Sequence, residues 1–200
     1  LTYTSLKDAI KKSPVKVMGQ CPEISLEKLI SLAGHDNLCA ICGDIVSDNI
    51  DSLNSLKNVL EENGIETATL KAKFKWSDFK LNSDGHVTVV VQDVKTDEVL
   101  MVAYMNEEAY NKTISTGRMT YYSRSRDELW VKGETSGHFQ YLQSLYVDCD
   151  ADTLLAKVTQ VGAACHTCKK SCFTRPGVEK DIKREDNPLT AFQVVLDLIK

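Results

Sequence analysis

The sequence has none of the features that mark a membrane, secreted or nucleic-acid-binding chain. Its longest apolar run near the middle, Val99 to Met105, is seven residues, against about 20 for a membrane span. The first 20 residues, LTYTSLKDAIKKSPVKVMGQ, contain no signal-peptide hydrophobic region. The expected location is therefore cytoplasmic and reducing, with no membrane partner. Charge of one sign is not in excess: 24 basic residues face 28 acidic ones, for a net charge of −4. Nothing in that balance drives binding to nucleic acid. Arginine is absent before residue 118. No internal repeat is visible.

What remains is an ordinary globular composition, 42% hydrophobic and 26% charged over 200 residues, enough to bury a core without staples. That excludes a disulfide-dependent miniprotein and an extended charged tail. The seven cysteines, in a reducing compartment, point to metal binding or reactivity rather than to disulfides. The sequence starts at Leu1 without methionine and ends in an apolar run; it is expected to be a piece of a longer chain.

Periodicity and caps divide the chain into three parts. Residues 1–75 read as a small α/β segment: helices over SLKDAIKK, SLEKLISLAG (capped by Ser25, stopped by Gly34) and SLNSLKNVLEENG, with strands at Val15–Gly19, LCAIC (38–42, a buried strand) and IETATL. FKWSDFKLNSDG reads as a linker closing in an Asp84-Gly85 turn. Residues 76–173 are rich in strands: HVTVVVQD, EVLMVAYM, MTYYS, ELWVKG, FQYLQSLYVDCD and LLAKVTQVG. The helix NEEAYNKTISTG, capped by Asn106 and stopped by Gly117, interrupts them. Residues 174–200 read as a polar linker and the start of a helix, NPLTAFQVVLDLIK. The fold class is α+β.

The chemistry concentrates in two clusters. The first is DCDAD, Asp148 to Asp152, followed by CHTCKKSC, Cys165 to Cys172. Thiolates are good zinc ligands, and three protein ligands leave a fourth position for a water that ionises near neutral pH. Carboxylates suit hard cations such as magnesium. In an extended stretch, alternation sends Asp148, Asp150 and Asp152 to one face and Cys149 to the other. The competing reading is an acidic turn beside buried cysteines. The second cluster, YYSRSRDELWVKGETSG, holds Arg124, Arg126 and Lys132, which can grip phosphate oxygens. In the same stretch, Ser136 and Gly137 offer a hydroxyl and an open backbone N–H. Its competing reading is a solvated, charged hairpin. Elsewhere, Cys39 and Cys42 read as core residues, His35 and His86 lie at turns, and His138 follows the Ser-Gly pair.

LMVAYMNEEA, YYSRSRDELWVKGETSG, DCDADTLL and GAACHTCKKSCF, in this order, resemble the phosphoribosyl-AMP cyclohydrolase family of histidine biosynthesis, from about Phe79 to Phe173. The resemblance implies a cytoplasmic, homodimeric α+β enzyme that uses zinc and magnesium. Such an enzyme hydrolyses the N1–C6 bond of the adenine ring with a zinc-activated water. It implies zinc on Cys149, Cys165 and Cys172, magnesium on Asp148, Asp150 and Asp152, and His166 as general base. It also implies a zinc site shared between subunits, with Cys149 from one chain and Cys165 and Cys172 from the other. Two positions depart from the family pattern: Cys168 stands where Gly is usual, and His138 where Asn is usual. The tail from Pro188 resembles the opening helix of the phosphoribosyl-ATP pyrophosphatase domain.

Two other functions place different demands on the sequence. A zinc nucleobase deaminase requires H-x-E and P-C-x-x-C. None of His35, His86, His138 and His166 has Glu two residues on, and Ala164 precedes Cys165. A zinc-stabilised binding module without catalysis requires a closed four-ligand site, such as Cys149, Cys165, Cys168 and Cys172.

Overall fold

The computed structural model describes residues 2–21 and 23–178. The expected helix from Asn187 and most of the preceding linker lie outside the described residues. The elements run α1 (Tyr3–Lys12), β1 (Val17–Gln20), α2 (Leu26–Ala33), β2 (Leu38–Cys42), the short α3 (Asp44–Ser47), α4 (Leu53–Glu62), β3 (Val87–Asp93), β4 (Val99–Met105), α5 (Glu107–Thr116), β5 (Thr120–Ser123), β6 (Glu128–Val131), β7 (Gln140–Val147) and β8 (Thr153–Gln160). The architecture is mixed α+β. Among the described residues no helix is long and apolar enough to cross a membrane.

A four-stranded sheet of order β4-β3-β8-β7 carries the main core. β3 runs antiparallel to β4 and parallel to β8, and β7 runs antiparallel to β8. Alternation decides the buried face: Val87, Val89 and Val91 of β3 and Leu154, Ala156 and Val158 of β8 are buried. Leu100, Met105, Met119 and Tyr121 complete this core. Helix α5 closes it. The Asn106 side chain accepts the Ala109 N–H at 2.9 Å, and Gly117 ends the helix in the left-handed region at φ 73. β5 and β6 form a separate hairpin that follows α5.

The first half of the chain departs from the sequence reading in two places. The IETATL segment forms no strand. The Asn54 side-chain amide takes the place of a strand partner, accepting the Leu70 N–H and donating to the Leu70 carbonyl, both at 2.7 Å. LCAIC is a strand, paired in parallel with β1, but it is not buried on both faces. Only Leu38 and Ile41 pack, against a small cluster of Leu6, Ile10, Cys21 and Leu32; Cys39 and Cys42 are exposed.

Candidate active site

Two clefts lie side by side, sharing Met101 and Trp130 as a common wall. The first, about 510 Å³, is lined by Asp84, Tyr104, Tyr122 and Arg124. The second, about 470 Å³, is lined by Lys132, Ser136, His138, Cys165, His166 and Cys172 among others. Each has the volume of an ordinary small-molecule site, about 300–1,000 Å³.

In the first cleft the Arg124 guanidinium lies 3.7 Å from the centre of the Tyr104 ring. That stacking orients an exposed cation without neutralising it. Tyr122 stacks on His86, ring centres 4.7 Å apart. Arg126 points elsewhere. It sits on the hairpin surface, 3.2 Å from Glu128 and 3.3 Å from the Ser123 hydroxyl, and lines neither cleft.

The second cleft is walled by the turn after β6. Gly133 has φ 92, and a Cβ there would come within 2.4 Å of the Phe139 backbone nitrogen; only glycine lets the turn fold back so tightly. The Ser136 hydroxyl accepts the His138 N–H at 3.2 Å. The Gly137 N–H is not open, contrary to the expectation from the Ser-Gly pair; it donates to the Gly133 carbonyl at 2.8 Å. The His138 ring lies over Gly162, where a Cβ would stand 2.6 Å from the ring. Lys132 is not grouped with the arginines. It is buried, and its Nζ donates to the His138 carbonyl at 3.3 Å.

The loop after β8 brings in the thiols. Its backbone folds on itself through Cys165 N–H to the Lys169 carbonyl (3.0 Å) and Cys168 N–H to the Cys165 carbonyl (3.1 Å). It is pinned to β4 by the Cys172 N–H on the Leu100 carbonyl and the Ser171 hydroxyl on the Val99 carbonyl, both 2.8 Å. The Thr167 hydroxyl, 3.0 Å from Cys165 Sγ, and the Thr167 backbone N–H, at 3.5 Å, lower the Cys165 thiol pKa. Burial raises that of Cys172. The His166 Nδ1 stands 4.0 Å from Cys165 Sγ, and the residue is exposed.

Cys168 lines the same cleft with φ 61. A left-handed conformation at a residue with a Cβ costs about 1–2 kcal/mol, which explains on backbone grounds why a glycine fits this position. Cys168→Gly should raise unfolding free energy by about 0.5–1 kcal/mol, after subtracting the extra entropy of unfolded glycine. It should leave metal content unchanged, as thermal melts and metal analysis of the purified variant would show.

Asp148 to Asp152 is a turn, not an extended stretch, because Ala151 takes φ 60. Asp148 organises it: one carboxylate oxygen accepts the Asp152 N–H at 3.1 Å and the Thr153 N–H at 3.2 Å. The turn, rather than alternation, gathers Asp148, Asp150 and Asp152, whose ligand atoms all lie within 4.8 Å of one another. Lys80 pairs with Asp150 at 3.3 Å. Cys149, in the same turn, is exposed and unbonded to another cysteine.

Cys149 is far from the other two thiols within one chain. The DCDAD turn precedes β8, whereas Cys172 is held against Leu100, level with the Ala156–Lys157 part of β8 through the β3 pairings. At about 3.3 Å per residue the offset along the strands alone is roughly 15 Å. Among the described residues the group gathered closely enough for a cation is Asp148, Asp150 and Asp152, and Cys149 does not join Cys165 and Cys172 in one.

The phosphoribosyl-AMP cyclohydrolase family model matches residues 101–174. The curated phosphoribosyl-AMP cyclohydrolase of Streptococcus mutans is 60% identical over 96 residues, covering 48% of this chain and 87% of that protein. That of Clostridium botulinum is 54% identical over 107 residues, covering 54% and 96%. That of Streptomyces avermitilis is 55% identical over 102 residues, covering 51% and 77%. The chain belongs to the phosphoribosyl-AMP cyclohydrolase family.

Proposed function

We propose that this chain hydrolyses the N1–C6 bond of the adenine ring of phosphoribosyl-AMP, as a step of histidine biosynthesis in the cytoplasm, and that residues 76–173 carry the activity. The observation that carries the reading is the shared wall. Cys165, Cys172 and His166 line one cleft, and across Met101 and Trp130 an exposed, stacked Arg124 lines the next. One cleft suits ring chemistry and the other suits phosphate.

The donor set fits zinc. Two thiols face one cleft, one of them with a lowered pKa, and the third is exposed and available. On this reading zinc is held by Cys165 and Cys172 of one chain and Cys149 of a second, in a homodimer. The roughly 15 Å offset within one chain supports the sharing. The carboxylates of Asp148, Asp150 and Asp152 converge as a hard cation requires, and they are assigned to magnesium. Bound zinc supplies a water that ionises near neutral pH.

The remaining roles fall to the chain's own groups. The N1-alkylated adenine ring is cationic, which makes C6 electrophilic. His166, exposed at the cleft, takes the proton of the attacking water at an imidazole nitrogen and returns it to the departing N1 side. Arg124 orients the substrate through its phosphate. The Ser136 hydroxyl, already held by the His138 N–H, faces the cleft as a further polar contact. Gly133 and Gly162 permit the close packing that sets this wall.

Incubation of the zinc- and magnesium-loaded protein with phosphoribosyl-AMP should change the purine absorbance as the ring opens; an unchanged spectrum sinks the reading. A non-catalytic zinc module has one observation in its favour, the presence of Cys168 beside Cys165 and Cys172. The absorption spectrum of cobalt-substituted protein separates three thiolates plus water from four thiolates.

A further inference from the structure

We infer that Lys132 is a positioning residue of the thiolate centre, its ammonium offsetting the negative charge of the metal site, and is not a grip for substrate phosphate. This rests on the zinc reading above and extends it to a residue outside the ligand set.

Lys132 is 7% exposed, an uncommon state for a lysine without an anion beside it. Its ammonium donates to a neutral acceptor, the His138 carbonyl. Among the described residues it forms no ion pair with a carboxylate, although Glu134 lines the same cleft. Cys165 and Cys172 line the cleft with it; burial lowers the pKa of its ammonium, and the two thiols, when ionised, act against that lowering.

Charge arithmetic explains why an ammonium belongs here. Three thiolates on one divalent zinc leave a net negative centre in a partly desolvated cleft. A buried cation beside it lowers the cost of holding all three thiols ionised. A phosphate grip needs open donors facing solvent, as Arg124 has in the neighbouring cleft. Lys132 is buried, and its Nζ is committed to the His138 carbonyl. The bond to the His138 carbonyl fixes where the charge sits. The Gln160 amide reaches that same carbonyl at 3.5 Å, and Gln160 is itself held by buried Gln140 at 2.8 Å.

The test compares Lys132→Met, which keeps length and removes charge, with Lys132→Arg, which keeps charge. Zinc affinity of the full chain is measured by competition with a chromophoric chelator, and the melting temperature of metal-free protein is measured alongside. Lys132→Met should bind zinc about 10–100-fold more weakly, the usual effect of losing a group that supports metal ligands. Its metal-free melting temperature should stay equal or rise, because an unpaired buried charge has been removed. Lys132→Arg should stay near the wild-type affinity. Wild-type zinc affinity in Lys132→Met with a raised KM for phosphoribosyl-AMP would overturn the inference in favour of a phosphate grip. Equal loss of zinc affinity in both variants, with a lower metal-free melting temperature, would make Lys132 merely structural. A wild-type protein that binds no zinc would instead remove the reading beneath it.

Discussion

Cys165→Ser should lose zinc and turnover together. Serine keeps the size of the side chain but replaces a soft thiolate with a hydroxyl that does not ionise at neutral pH, so the metal loses a ligand of the right kind. On the proposed reading of three protein ligands and a water there is no spare donor. The Cys165 thiol pKa is lowered because Thr167 directs its hydroxyl and backbone N–H at Sγ. Cys172, whose thiol pKa burial raises, follows once the metal supplies the positive charge. The loop itself should survive, because its backbone bonds to Lys169, Leu100 and the Cys165 carbonyl do not use the sulfur. Metal analysis and a turnover assay on folded Cys165→Ser decide the matter. Zinc retained at wild-type occupancy would remove Cys165 from the ligand set.

His166→Ala should behave differently, keeping zinc and losing about 10²–10⁴-fold in turnover, the usual loss when a general base is removed. The imidazole is exposed, with its Nδ1 4.0 Å from Cys165 Sγ. Removing it opens no cavity and leaves no buried polar group unpaired, so folding and metal content should be unchanged. A structural histidine would give the opposite pattern, with stability and zinc falling together. A zinc-replete, fully active His166→Ala protein would take this residue out of the mechanism.

Most of the central sheet was legible because local and global demands agree. In β3 the alternation of Val87, Val89 and Val91 with Thr88 and Gln92 survives folding intact, and α5 begins and ends where Asn106 and Gly117 place it. The misses have tertiary causes. IETATL has strand composition, but the Asn54 amide occupies the Leu70 backbone from another element. LCAIC is apolar enough for a central strand, but only Leu38 and Ile41 meet a packed cluster, and Cys39 and Cys42 stay exposed. At the site, the residue types in DCDAD were readable, whereas their gathering depends on a left-handed Ala151 that propensity does not anticipate. Lys132 and Arg124 look alike in sequence, and only the fold shows one buried beside thiols and the other stacked over Tyr104. The glycines told more than their type: Gly133 and Gly162 are fixed by close approach of Phe139 and His138, contacts with no sequence signal. The separation of Cys149 from Cys165 and Cys172 became visible once β8 was known to lie between them.

That separation gives the most direct measurement of the account, subunit exchange between two inactive variants. Cys149→Ser chains and Cys165→Ser chains, each inactive alone, are mixed in equal amounts and allowed to exchange. If each zinc site takes Cys149 from one chain and Cys165 and Cys172 from the other, a heterodimer collects both lesions in one site and leaves the second site whole. Random pairing makes about half the dimers heterodimeric, so about a quarter of all sites should recover zinc and activity. Activity that stays at background after exchange has been demonstrated would contradict the shared site, because sites built within one chain would each carry a lesion.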